Sequence, residues 1–174
     1  MSVSFYDLSV PTFLQTVRAL RGVLDRAVEH CAQTGRSPDD FVKMRLIDDM
    51  MPFHFQIEGA YHHPLLGLEA ARTGAITPPA LAGPVPFREL QAMMAKAQSA
   101  LEALVPDEVN SWAGKHLDLQ IGPRKLAFTS EMFILSFSMP NFYFHVVTAY
   151  DILRMQGVPI GKRDYEGQLR TRPI

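Results

Sequence analysis

The first part of the chain carries apolar residues at alternating steps of four and three positions. These residues are Phe13, Val17, Leu20, Leu24, Ala27 and Cys31. Such steps place side chains on one face of an α-helix, so the pattern predicts a long first helix that packs in a bundle. Gly35 predicts the end of this helix, because glycine often follows a helix. The sequence Ser37-Pro38-Asp39-Asp40 then predicts a second helix start, with serine as the cap and proline in the first turn.

Two further long helices are predicted in the middle of the chain. The second helix runs from about Met50 to Arg72 and ends at Thr73-Gly74, and Pro64 is expected to bend it. The segment 77–86 holds four prolines, so an extended connection is expected there. The third helix is closed by Pro106 and rests on another set with steps of three and four: Phe87, Leu90, Met94, Ala97, Leu101 and Leu104.

The period changes to two after His116. The alternating apolar residues are Leu117, Leu119 and Ile121 before Gly122-Pro123, and Leu126 and Phe128 after it. Alternation on both sides of a glycine-containing turn predicts a short β-hairpin. A last helical segment is predicted from about Ser130 to Gln156, ending at Gly157, with Pro140 either breaking it or starting its second half.

These elements together predict an all-α fold. We expect a single domain over residues 1–174, built as a four-helix bundle with a short β-hairpin before the last helix. The charged tail from Gly161 onward shows no periodicity.

Charge and motifs exclude several classes of function. The 17 basic and 18 acidic residues leave a formal net charge of -1, which gives no reason to expect nucleic acid or a membrane as a partner. The single cysteine, the absence of a signal-like start and the lack of an apolar run of about 20 residues predict a soluble cytoplasmic protein. No glycine-rich phosphate loop, GxSxG elbow or CxxC pair is present.

His54, Asn141 and His145 form the candidate metal site. His54 lies on the apolar stripe predicted for the second helix, so its ring is expected to point inward. Asn141 and His145 are four residues apart, which places both side chains on one face of the last helix. Imidazole is a common ligand of transition metals, and three ligands from two helices would leave positions open for water or substrate.

A structural interpretation of the same residues stays open. A histidine on an apolar face is more often a hydrogen-bonded core residue, and an asparagine amide is a poor ligand for zinc, nickel or iron. His62 and His63 are adjacent, so they point about 100 degrees apart on a helix and are interpreted as a surface pair. Glu58, four residues after His54, could serve as a ligand, as a base or as the partner that orients an imidazole.

Three segments resemble a known family. They are SFYDLSVPTFLQTVRAL near the start, LIDDMMPFHFQIEGA in the middle and MPNFYFHVVTAYDILRMQGVPIGKRDY near the end. Over nearly the whole chain the sequence resembles the domain-of-unknown-function family numbered nineteen ninety-three. That family is similar in turn to the DinB-like and YfiT-like proteins, which are four-helix bundles that often form homodimers and include metal-dependent thiol transferases and hydrolases.

The resemblance implies a role for the candidate site. In the wider superfamily, one histidine of the second helix and an HxxxH pair of the fourth hold the metal. His54 matches the former and His145 the second histidine of the pair, while Asn141 takes the place of the first. The first hypothesis is therefore a divalent-metal-dependent transferase or hydrolase with a degenerate site, with zinc, nickel or manganese as the metal. Glu58 or Asp151 would be its base.

The second hypothesis is a bundle without metal or catalysis. It would use the same cavity to bind a small apolar ligand, or would simply dimerise. His54 and Asn141 would then form a hydrogen bond across the core, since buried polar groups need partners and such networks can fix one packing arrangement.

Overall fold

The computed structural model describes residues 3–76 and 79–171, with the side chain of residue 121 excepted. Residues 77 and 78 of the proline-rich connection lie outside the described residues. The helices are α1 (Phe5–Thr34), α2 (Phe53–Thr73), α3 (Phe87–Glu102), α4 (Pro106–Asn110), α5 (Ser130–Phe133), α6 (Met139–Met155) and α7 (Lys162–Glu166). The strands are β1 (His116–Ile121) and β2 (Arg124–Thr129), and a 3-10 helix spans Pro38–Phe41. The described chain therefore has the predicted architecture of a helical bundle with a hairpin before its last long helix.

Helix α1 begins and ends at residues suited to those positions. Ser4 accepts a hydrogen bond from the Asp7 amide, and the Asp7 carboxylate accepts one from the Ser4 amide, so each satisfies a group at the start of the helix. Gly35 ends the helix in a left-handed conformation, with φ of 69°, as the sequence predicts. All six residues of the predicted apolar stripe are buried.

Helix α2 begins three residues later than predicted. Pro52 precedes it in an extended conformation, and a residue before proline is disfavoured in the helical region, so Met50 and Met51 stay outside the helix. The helix ends at Thr73, and Gly74 follows in a left-handed conformation with φ of 76°. The end of α2 is therefore confirmed and its start is corrected.

Two segments near the ends of predicted elements form short helices. Pro106, predicted to close α3, is also the first residue of α4. Its fixed φ and missing N–H suit the first turn of a helix. The tail forms α7, whose Glu166 carbonyl accepts a hydrogen bond from the Gln15 side chain of α1 at 3.0 Å. The tail, whose sequence shows no periodicity, therefore contains a short helix at 162–166.

The hairpin is antiparallel, and its register pairs His116 with Thr129 and Ile121 with Arg124. It packs on the bundle through a small apolar cluster of Ala70, Leu117, Leu119 and Phe133. The buried Ser130 hydroxyl donates to the Trp112 carbonyl at 2.6 Å and ties the end of β2 to the loop after α4. The hairpin is thereby fixed against one end of α2.

The last long helix is continuous from Ser130 to Met155 and contains a π-helical turn at Ile134–Ser138. The Met139 amide donates to the Ile134 carbonyl, five residues back, and Pro140 follows directly. Because proline supplies no amide and crowds the preceding turn, the wider turn lets the helix pass the proline without a break. Pro140 thus lies in the first turn of α6, which agrees with the prediction that it starts the second half.

This last helix is long and apolar enough to cross a membrane by length and composition alone. Part of its apolar character is explained by its place in the bundle, where Phe142, Val146 and Ile152 are fully or almost fully buried. The ring of Phe142 meets the ring of Phe13 on α1 edge to face, with centroids 5.2 Å apart. The core of the bundle therefore lies between this helix and its neighbours.

Candidate functional site

A cavity of about 470 Å³ opens between α2, the hairpin and the last long helix. Its walls are mostly apolar or aromatic and include Phe55, Leu66, Ile76, Leu81, Leu119, Phe133 and Phe137. The polar side chains on its walls are His62, His63, Gln120, Ser138 and His145. Among the described residues that line it, none is aspartate, glutamate, lysine or arginine. A largely apolar cavity with a few polar groups is typical of a small-molecule site.

Two glycines of α2 allow the last helix to approach closely. A Cβ at Gly59 would stand 2.7 Å from Nε2 of His145, and a Cβ at Gly67 would stand 3.0 Å from Cβ of Ser138. The two contacts occur in opposite chain order, so the helices are antiparallel. The Ser138 hydroxyl of the last helix donates to the His63 carbonyl of α2 at 2.6 Å, so a hydrogen bond links the two helices beside the cavity.

His145 is held in one orientation and one tautomer. Its Nδ1 lies 2.8 Å from Oε1 of Gln56, which is 1% exposed. The Gln56 amide nitrogen donates to the Met51 carbonyl at 2.8 Å, so the amide oxygen faces the histidine. Because that oxygen can only accept, Nδ1 carries the proton and Nε2 of the neutral ring keeps its lone pair.

Three histidines are kept neutral at the cavity. Burial lowers the pKa of His145 and also that of His62. The pKa of His63 falls from its usual 6.5 to about 4, first through burial and then through repulsion from His145 and His62. The rings of His63 and His145 lie nearly parallel, with centroids 5.4 Å apart. At neutral pH this group offers hydrogen-bonding nitrogens without charge.

The buried carboxylate of Glu58 fixes the segment that covers one side of the cavity. One oxygen accepts from Nδ1 of His54 at 3.0 Å, and the other accepts from the Ala82 amide at 2.7 Å. Glu58 is 1% exposed. Pro79 and Leu81, just before Ala82, line the cavity, so the Glu58 contact holds this wall in place.

Each of the three predicted metal ligands has a hydrogen-bond partner of its own: Glu58 for His54, the Phe137 carbonyl for Asn141 and Gln56 for His145. His54 and Gly59 are five residues apart and point about 140 degrees apart on α2, and His145 packs on Gly59. The Asn141 amide donates to the Phe137 carbonyl of its own helix at 2.7 Å. In the part of the chain that the structure describes, no three His, Cys, Asp or Glu side chains are grouped to hold a metal.

The hydrogen bond between His54 and Asn141, expected for a bundle without metal, is also not formed. His54 pairs with Glu58, and Asn141 pairs within its own helix, because each finds a partner one turn away. Asp151, the other candidate base, is six residues after His145 and points about 120 degrees away from it. Neither Glu58 nor Asp151 is among the described residues that line the cavity.

Sequence reasoning missed His63, which together with His62 was interpreted as a surface pair. Both residues are partly buried and line the cavity, so that interpretation was wrong. The available signal was the stripe Gln56, Gly59, His63 and Gly67, at steps of three and four. Small residues at such steps mark a face where another helix approaches closely, and His63 lies on that face.

A family model described as domain of unknown function DUF1993 matches residues 5–166. The chain belongs to this family. The match covers all the helices that build the cavity, so the cavity is a feature of the family domain in this chain. The resemblance found in the sequence is thereby confirmed.

A similar solved structure supports the fold. A crystal structure of a DinB family member protein from Shewanella denitrificans superimposes with a TM-score of 0.81 at 24% identity, covering 97% of this chain and 95% of that chain. The DUF1993 chain therefore has a DinB-like fold, as predicted. At this identity the likeness shows the fold alone, and no curated protein matches the sequence.

Proposed function

We propose that this DUF1993 protein binds a small, largely apolar molecule in the cavity between α2, the hairpin and the last helix. The observation that supports this most directly is the cavity itself: about 470 Å³, with apolar walls and neutral histidines as its main polar groups. Ligand sites of this size commonly bury most of a small molecule and orient it with a few polar groups. His63 and His145 would form the polar end of the site.

The test is a binding measurement with an uncharged fluorescent probe, N-phenyl-1-naphthylamine. Leu66→Trp fills the cavity from α2, whereas Leu135→Trp makes the same change at a site that is 51% exposed and is not among the cavity-lining residues. We expect Leu66→Trp to weaken probe binding by roughly tenfold or more, since overpacking costs about 1–3 kcal/mol. Leu135→Trp should bind like the parent. No probe binding by the parent would contradict the proposal.

Metal-dependent transfer or hydrolysis, with zinc, nickel or manganese at His54, Asn141 and His145, stays a prediction from the sequence. In its favour, both histidines use Nδ1 toward an acceptor, as metal-bound histidines commonly do. Against it, the Asn141 amide donates to the Phe137 carbonyl of its own helix, and Nδ1 of His145 is taken up by Gln56. Metal content of untagged protein, with His145→Ala as the control, tests it: near-stoichiometric metal that the variant loses would favour a metalloenzyme.

A further inference from the structure

We infer that the cavity selects an uncharged ligand that carries one hydrogen-bond donor, an O–H or N–H, and that this donor binds Nε2 of His145. The inference rests on the proposed function and specifies the class of ligand. It comes from the hydrogen bonds around His145, from the position of its ring and from the absence of charge on the described walls of the cavity.

The hydrogen bonds that reach His145 run in one direction only. The Met51 carbonyl accepts from the Gln56 amide nitrogen, and this contact turns the amide oxygen toward His145. The oxygen must accept from Nδ1, so Nε2 is an acceptor and cannot donate while the ring is neutral. A ligand group that meets Nε2 must therefore be a donor.

Nε2 of His145 lies at the wall of the cavity. His145 lines the cavity, and the ring edge that carries Nε2 lies on Gly59, another residue of the cavity wall. His145 is only partly buried, and no described residue forms a hydrogen bond with its Nε2. Since no buried side-chain nitrogen or oxygen of the described residues lacks a partner, Nε2 must keep some exposed surface. An acceptor at an apolar wall loses its hydration when a ligand displaces water, so a ligand without a donor would leave it unpaired.

The cavity walls that the structure describes offer no partner to a charged ligand. The described walls carry no aspartate, glutamate, lysine or arginine side chain. A carboxylate or an ammonium group entering the cavity would lose its water and find no opposite charge. The walls therefore favour neutral ligands over anions and cations alike.

Three probes that share one apolar body test the inference. The first probe, 4-ethylphenol, has an O–H donor. In the second, 4-ethylanisole, a methyl group replaces the hydroxyl hydrogen, so the donor is lost. The third, 4-ethylbenzoate, is an anion at pH 7. Their affinities for the parent protein can be measured by titration calorimetry. We expect the phenol to bind about fivefold to tenfold more tightly than the ether, the range expected for one hydrogen bond. The benzoate should bind more weakly than both.

A variant and a spectroscopic measurement assign the effect to His145. His145→Phe keeps a ring of similar shape and removes the acceptor, so it should bind the phenol and the ether equally. His30→Phe makes the same change on α1, away from the cavity, and should keep the preference. In the parent, the ¹⁵N shift of His145 Nε2 should be that of an unprotonated nitrogen and should move when the phenol binds but not when the ether binds. This readout does not depend on the variant folding.

The outcomes separate this inference from the function on which it rests. Equal binding of the phenol and the ether to the parent, or a protonated Nε2, would overturn the inference and leave the cavity as a ligand site. If the phenol preference persists in His145→Phe, the donor binds elsewhere and the inference is wrong. If no probe binds, and N-phenyl-1-naphthylamine also fails to bind, both proposals are wrong.

Discussion

The imidazole ring of His145 packs directly on the backbone of Gly59. A Cβ at position 59 would stand 2.7 Å from Nε2 and closer still to Cδ2 and Cγ, which real Cβ atoms do not tolerate. Both helices are fixed by their packing in the core, so a larger residue at this position would have to displace the ring. The ring would then leave its hydrogen bond to Gln56.

Gly59→Ala should therefore destabilise the protein and disturb His145. Overpacking costs about 1–3 kcal/mol, which opposes the gain of about 1 kcal/mol from replacing glycine in a helix. The free energy of unfolding can be measured by urea denaturation. Gly22→Ala on α1 is the control, because a Cβ there meets nothing within 4 Å and should be neutral or stabilising. If the two variants were equally stable, the close contact between Gly59 and His145 would be disproved.

The fold could be predicted from the sequence because its signals are local and repeated. The stripe from Phe13 to Cys31 fixes the buried face of α1 without knowledge of any other helix, and the six residues are buried as expected. The change of period after His116 likewise marks the hairpin. Errors arose where one residue decides the boundary, as Pro52 does at the start of α2.

The arrangement of the site was harder to predict because it depends on how two helices are rotated relative to each other. The sequence shows that His54 and His145 lie near apolar faces, but it does not show which face of α2 meets α6. Gly59 and Gly67 decide this by allowing close approach, and His63 lies between them. A rotation of about 140 degrees, the angle between positions 54 and 59 of α2, separates a cavity residue from one on another face.

Glu58 gives a second prediction. Its buried carboxylate holds both His54 and the Ala82 amide, so Glu58→Gln would replace one charged acceptor with an amide that can satisfy only part of this network. We expect a loss of about 1–3 kcal/mol in the free energy of unfolding. Amide hydrogen exchange at Ala82 should also become faster. Unchanged exchange at Ala82 would show that Glu58 does not hold this segment.

The matched control for that variant is Glu69→Gln. Glu69 also lies on α2, but it is half exposed and pairs with Arg72 on the surface. Exposed ion pairs typically contribute less than about 1 kcal/mol. A difference between the two variants therefore measures the effect of burial, whereas equal losses would contradict the role given to Glu58.

The third prediction concerns pH. Because the pKa of His63 is lowered to about 4 in the folded protein, the unfolded chain binds a proton more readily between about pH 6.5 and pH 4. The stability associated with His63 is therefore present above pH 6.5 and is lost as the pH falls through this range. His62 on the same helix and His145 on α6 face it and repel its proton, and Glu58 attracts that of His62.

His63→Gln removes this titration and keeps a polar side chain. Between pH 7 and pH 4.5 we expect the parent to lose about 1–2 kcal/mol more stability than the variant, once the partial exposure of the ring is allowed for. Urea denaturation at both pH values measures the difference. His30→Gln is the control and should follow the parent. If the parent and His63→Gln lost the same stability on acidification, the lowered pKa of His63 would be wrong.

The last prediction concerns the homodimer implied by the family resemblance. Phe144, Val147 and Met155 lie on one face of α6 and are 55%, 39% and 52% exposed. A second copy packing on this face would remove their apolar surface from water. We therefore expect the parent to sediment as a dimer at high protein concentration. Phe144→Lys should sediment as a monomer, because a buried charge without a partner is costly.

The control is Met51→Lys, at a position that is 46% exposed on another part of the chain, and this variant should remain a dimer. A monomeric parent would disprove the dimer, whereas a dimeric Phe144→Lys would move the interface to another surface, because a lysine at the centre of this face could not keep its hydration.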